Sequence, residues 1–189
     1  MFQFINNTYF DNLTLSLPNT DPTKGEGLLL IQTIERLQFD YLNDILGVEM
    51  TTDFLNGIVD VTEEVPTASA NWLLLLFGNK DIETNIYNGW LGFSNHQEYE
   101  NIGTFRRVSP FANYVYYYWI CQKMTTTMGQ GEATAKFENA TNESSKMKLI
   151  KAWNNMVDLH YTMHDFIMAN IEAYPNYIGI KYPPLTNVN

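Results

Sequence analysis

Ser109-Pro110-Phe111-Ala112-Asn113-Tyr114-Val115-Tyr116-Tyr117-Tyr118-Trp119-Ile120 admits two readings, and the choice between them sets the fold class. The run from Tyr114 to Ile120 is rich in aromatic and β-branched residues, which favour strands. Against this, Ser109 can cap a helix, and Pro110 suits the first helical position because the N–H it lacks would have no partner there. The next glycine is Gly129, which leaves room for about five turns at roughly 3.6 residues each. Capping and length decide for a helix. Aromatic residues in consecutive positions point all round it, so it must be buried on several sides.

The flanking sequence reads as further helices. Between Glu26 and Gly47, the residues Leu30, Ile31, Ile34, Leu37, Tyr41, Leu42 and Ile45 recur at helical spacing, and Gly47 is placed to end that helix. A short second helix fits Thr51 to Val59, stopped before Pro66. Trp72 to Phe77 is apolar throughout and too short for periodicity to separate a helical turn from a strand. Asn88-Gly89 lies between Ile86-Tyr87 and Trp90-Leu91, the pattern of a type I′ turn, and predicts a small β-hairpin near residues 82–93. Gly129-Gln130-Gly131 opens a polar connection that runs to Asn142. The last long helix, predicted within residues 143–174, carries Leu149, Trp153, Met156, Val157, His160, Met163, Ile167 and Ile171 on one side. The expected fold is mainly α, a helical bundle over residues 25–174 with a small β-hairpin. Residues 1–24 are expected to form an extended arm and residues 175–189 a docking tail, both leaving the protomer to lie against neighbours.

A chain of 189 residues with 45% hydrophobic content suits one domain with a real core. The charged fraction of 17% is low and the aromatic fraction of 14% is high. Tyr and Trp offer large contact area at small entropic cost, so the excess fits extensive protein interfaces; an aromatic-rich core is the alternative. The net charge is −10, and residues 36–100 hold eleven acids against two bases. Such a surface repels phosphate backbones, which argues against nucleic-acid binding but suits a conduit through which DNA must slide without sticking. The lone Cys121 excludes an internal disulfide framework and a cysteine-rich zinc site, pointing to a reducing compartment. The N-terminus shows no secretory signal, and the longest apolar run, Trp72 to Phe77, is far short of the roughly 18–20 residues of a membrane span.

Motifs for chemistry are sparse. His160 and His164 stand four apart, a spacing that puts two imidazoles on one helix face as metal ligands require. The position after the first is Tyr161 where a zinc protease has Glu, and a third ligand could come only from Asp165 or the distant His96. Packing or interface histidines are the better account, with a metal-assisted hydrolase as the rival reading. There is no Gly-x-Ser-x-Gly elbow, and Gly129-Gln130-Gly131-Glu132 lacks the remaining elements of a phosphate loop. Glu63-Glu64, Asp81 with Glu83 and Glu98 with Glu100 sit in polar segments with no apolar context to raise a pKa. The residues therefore predict no catalytic group, no metal and no cofactor.

Arg107 to Tyr118, then Thr125-Thr126-Thr127-Met128-Gly129-Gln130-Gly131-Glu132, then Lys151-Ala152-Trp153-Asn154-Asn155-Met156-Val157 resemble the head-to-tail connector or adaptor proteins of tailed phages, in particular those of the crAss-like group. The similarity covers roughly residues 25–180. It implies a helix-bundle protomer assembled as a closed ring, of about a dozen copies, between the portal and the next tail or ring protein. On that implication genomic DNA passes without specific binding, and the protein resides at the head-tail junction of the virion after assembly in the host cytoplasm, with no membrane partner. The expected interface residues are Arg106, Arg107, Tyr114, Tyr117, Tyr118, Trp153, Tyr177, Ile178 and Tyr182, with Arg106-Arg107 meeting an acidic neighbouring subunit. A non-virion interaction module is a further alternative, and it would remain monomeric.

Overall fold

The computed structural model describes residues 4–10, 15–60, 67–77, 109–128, 131–134 and 142–179. The described chain is mainly helical: α1 Gly25–Leu46, α2 Val48–Gly57, α3 Ala70–Phe77, α4 Pro110–Met124 and α5 Asn142–Ala169. Two short antiparallel ladders accompany them, β1 Ile58–Asp60 with β2 Thr67–Ala68, and β3 Thr125–Met128 with β4 Gly131–Thr134.

The Ser109 cap prevails over β propensity. Ser109 Oγ accepts the Ala112 N–H at 3.4 Å, and its carbonyl accepts both the Asn113 N–H at 3.2 Å and the Asn113 side-chain amide at 2.9 Å. The helix then runs through Tyr114–Trp119, of which Tyr114, Val115, Tyr116 and Trp119 are buried. It stops at Met124, short of the glycine that framed it, where Thr125-Thr126-Thr127 takes up an extended backbone. Three β-branched residues in a row lose side-chain freedom in a helix and favour a strand. Thr125 pairs with Thr134 and Met128 with Gly131, so part of the expected polar connection is a hairpin. The hairpin predicted at Asn88-Gly89 lies outside the described residues.

Helix α1 ends at Gly47, whose φ of 83° is open to glycine at little cost, and α2 starts immediately after it. Ile178 lies against this glycine, close enough that a Cβ there would meet its Cγ1 at 2.9 Å. In α1 the predicted stripe is buried except for Ile31, which is half-buried. In α5 it is buried from Leu149 to Ile167, while Ile171 lies beyond the helix and is exposed. The ambiguous Trp72–Phe77 run is helical.

The core gathers on α4, which packs on both α5 and α1. Its aromatic residues interlock with those of other elements: Tyr41 lies 4.8 Å from Phe111 and 5.0 Å from Tyr114 between ring centroids, and Tyr117 lies 4.8 Å from Trp153. Such pairs contribute about 0.5–1.5 kcal/mol each beyond the area they bury.

The described part of the N-terminal segment folds onto this core, which corrects the expectation of a departing arm. Phe4, Ile5, Tyr9, Phe10, Leu15 and Leu17 are all buried, and Phe4 stacks on Phe54 at 5.6 Å. The segment lacks periodicity because it is held by specific polar contacts. The Phe4 N–H donates to the buried Gln38 Oε1 at 3.2 Å, and the Asn7 amide donates to the carbonyls of Thr20 and Gly27. The tail is corrected likewise as far as residue 179. Buried Tyr174 donates its hydroxyl to the Asn71 carbonyl at 2.7 Å, and the Asn176 amide donates to Asp53 at 2.9 Å.

Gly27 is where the N-terminal segment crosses α1, and a Cβ there would stand 1.9 Å from the Asp21 carbonyl oxygen. Gly27→Ala is expected to lower unfolding stability by about 1–3 kcal/mol in a denaturant titration, the range for overpacking. Gly25→Ala, with nothing within 4 Å of its Cβ, serves as the control and should hold or slightly raise it. Equal midpoints for the two variants would contradict the crossing.

Candidate functional site

The residues suspected of chemistry separate into two tyrosine-histidine pairs. His160, on the inner face of α5, is fully buried, and its Nε2 lies 2.7 Å from the Tyr41 hydroxyl of α1. The two rings are 5.5 Å apart between centroids. Burial among apolar side chains disfavours the imidazolium and pushes the His160 pKa down to about 3. A neutral imidazole with its proton on Nδ1 accepts at Nε2 from the Tyr41 hydroxyl. Closed from water, this pair cannot exchange a proton with a substrate unless the bundle opens.

His164, one turn on, is half-buried, and its Nδ1 lies 3.1 Å from the hydroxyl of Tyr177. That contact ties the tail to α5, and burial raises the Tyr177 phenol to about 12, with the Asp165 carboxylate adding to the shift. The two imidazoles thus face different partners, one in the core and one at the rim. Among the described residues no group of three or more His, Cys, Asp and Glu side chains is placed to hold a metal ion. Cys121 is partly buried, and desolvation raises its thiol pKa, the opposite of an activated nucleophile.

The expected interface residues scatter. Tyr114 and Trp153 belong to the core of their own protomer, a correction that follows from the packing of α4 on both neighbours. Tyr117 and Tyr118 are partly buried against that core, and so is Tyr177. Ile178 remains 64% exposed. Arg106, Arg107 and Tyr182 lie outside the described residues.

The surface holds apolar residues that the sequence reading missed. Leu28 and Leu29 on α1 are half exposed, as are Met147, Tyr161 and Met168 on α5, while Val48 at the start of α2 is 69% exposed. The α5 residues share a spacing in multiples of seven, offset from the buried stripe, and that offset was the available signal. Charges accompany them: exposed Glu35, Arg36 and Asp40 on α1, Glu49 and Asp53 on α2, and Lys148, Lys151, Asp158 and Asp165 on α5. No described helix is long and apolar enough to cross a membrane.

Comparison with protein-family models, with curated proteins and with solved structures finds no match.

The buried His160 gives stability a pH dependence. Its pKa is about 3 when folded and 6.5 in its ordinary state, so the unfolded chain binds the extra proton between those values. Its contribution is complete above about pH 6.5 and is lost as pH falls toward 3, at up to about 1.4 kcal/mol per pH unit. Chemical denaturation across pH 4–7 should therefore show a slope that flattens by one proton in His160→Gln. An unchanged slope would place the proton uptake elsewhere.

Proposed function

We propose that the protein is a virion structural component, a head-to-tail connector that forms a closed ring between portal and tail and lets DNA pass. The observation that carries this reading is the division between inside and outside. Both histidines that could do chemistry are engaged by tyrosines of the same protomer. Exposed apolar residues and charges of both signs lie instead on the outer faces of α1 and α5. A surface of that kind suits a protein that works by being held in an assembly, and patches that differ on two sides of a subunit close into rings when the rotation permits.

The acidity of the chain supports the conduit. A net charge of −10 on each copy surrounds the passage with like charge, and α2 contributes exposed Glu49 and Asp53. DNA gains nothing there from counterion release and is not trapped. The sequence resemblance supplies the place in the particle, against a portal protein on one side and the next tail or ring protein on the other.

Two measurements test the reading on the full chain. Sedimentation and negative-stain images should give a closed ring with a central opening, and duplex DNA at low salt should not be retained. A protein that stays monomeric at high concentration and in the presence of a portal ring, or that binds DNA tightly at low salt, would overturn it.

A further inference from the structure

A single glycine joins α1 to α2, and its backbone serves both helices. The Gly47 N–H donates to the Asn43 carbonyl at 3.0 Å and closes α1, while the Gly47 carbonyl accepts the Thr51 N–H at 2.9 Å and opens α2. These two bonds lie on opposite sides of the glycine Cα, so a turn about its φ and ψ swings α2 on α1 without breaking either. Gly47, already at a φ of 83°, has no Cβ to restrict that turn. Hinges commonly consist of a few residues at the ends of elements, as here.

α2 does not stand alone. It runs into β1, whose ladder with β2 leads on to α3. Trp72 of α3 packs against Gly57 of α2 and lies 5.4 Å from Phe54 between ring centroids. The two helices form one lobe, and the segment from Tyr174 to Ile178 reaches it at three points. Ile178 covers the hinge, with its Cγ1, Cδ1 and Cγ2 all within 3.3 Å of where a Gly47 Cβ would stand. Asn176 donates to the Asp53 carboxylate of α2 at 2.9 Å, and Tyr174 donates to the Asn71 carbonyl of α3 at 2.7 Å. The same segment is pinned to α5. The Tyr177 hydroxyl lies 3.1 Å from His164 Nδ1, and the Tyr174 ring lies 6.2 Å from that of Phe166. We infer that residues 174–178 are a strap that locks the α2–α3 lobe to α5. With the strap closed Gly47 is held; with it lifted the lobe pivots there. The device belongs to the protomer and does not depend on the connector reading.

The construction suits a lock that opens. The ties of the strap to α2, α3 and α5 run through side chains, Ile178 is 64% exposed, and Asn176 and Tyr177 are half-buried. On the inner side of the lobe Phe54 stacks on Phe4, and Leu75 and Leu76 are buried, so the closed form is the resting one. Lifting the strap changes how often the lobe leaves it, a local opening within a folded chain. Meanwhile Tyr41 and His160 join α1 to α5 independently of the strap.

Hydrogen exchange of the full chain, read by mass spectrometry, tests the lock. Asn176→Ala and Ile178→Ala each delete one tie at a partly or largely exposed position, and a thermal melt verifies that they fold. Amide exchange in α2 and α3 should rise about tenfold or more in each, while exchange in α1, α4 and α5 stays within about twofold of the wild type. Tyr177→Phe keeps the ring and loses the hydroxyl that His164 holds, and the same selective rise is expected; should an alanine variant fail to fold, this one decides on the same outcomes. Met168→Ala removes an exposed apolar side chain from α5 outside the strap and should change none of these rates. Exchange in α2 and α3 that stays at the wild-type level, or that rises equally in every described helix, overturns the lock: the first result makes the segment a passive covering, the second a general contributor to stability.

Discussion

A hydrogen bond of 2.7 Å between Tyr41 and His160, sealed from water, sets the relation between the two longest of the described helices. Its strength comes from its surroundings. An imidazole in bulk water is at liberty to take a proton and lose its role as acceptor, but burial holds His160 neutral through the ordinary pH range. Removing either partner leaves a buried polar group with the full cost of its desolvation, roughly 1–3 kcal/mol. The bond also fixes rotation, because Tyr41 sits between Phe111 and Tyr114 of α4 and can reach His160 only when all three helices hold their present faces inward. What each helix shows to the outside follows from that choice.

The terminal segments complete the core by a different logic. A helix satisfies its own backbone and has only to bury a stripe, whereas an irregular segment must find partners for its peptide groups. The N-terminal segment finds them in Gln38 and in Asn7, both buried side chains placed to bond to main chain. The tail is held instead through its side chains, the Tyr174 hydroxyl donating to the Asn71 carbonyl and the Asn176 amide to the Asp53 carboxylate. Such contacts are individually modest, about 0.5–1.5 kcal/mol net, yet each also prevents an unsatisfied group in the interior. They admit large apolar side chains such as Phe4 and Phe10 to the core without any helical or strand pattern.

This difference explains what was legible in the sequence. The helices were readable because periodic burial and capping are local: the stripe of α1, the stripe of α5 and the Ser109-Pro110 start all appear where they were expected. The ends were misread because their burial depends on Asn7, Gln38 and Gly27, whose roles exist only once distant segments meet. A buried Gln in a helix looks like any polar residue on a flank. The aromatic excess was ambiguous for a related reason, since the same side chains serve cores and interfaces; Tyr114 and Trp153 are in the core. The histidine pair was visible as a spacing, but a spacing does not tell whether the two rings share a ligand or, as here, turn to different tyrosines. The exposed residues Met147, Tyr161 and Met168 were hidden by the stronger buried stripe they accompany.

A protomer that buries the described parts of its terminal segments against its own core has less left to order on assembly, and this shapes the energetics of the proposed ring. The contact surfaces are then small additions to a finished core: a few half-exposed apolar residues and ion pairs that contribute little singly in water. One such contact between two copies is weak, because the loss of rotational and translational freedom consumes most of what it supplies. Closure changes the balance, since the last copy makes two contacts for a single loss of freedom, and the ring becomes stable relative to open chains. The charges matter most in fixing register along a helix face, which must repeat identically around the circle for the ends to meet. On the proposed connector reading, such a subunit would stay dispersed at low concentration and commit when a template gathers its copies. A portal ring beneath a connector supplies such a template.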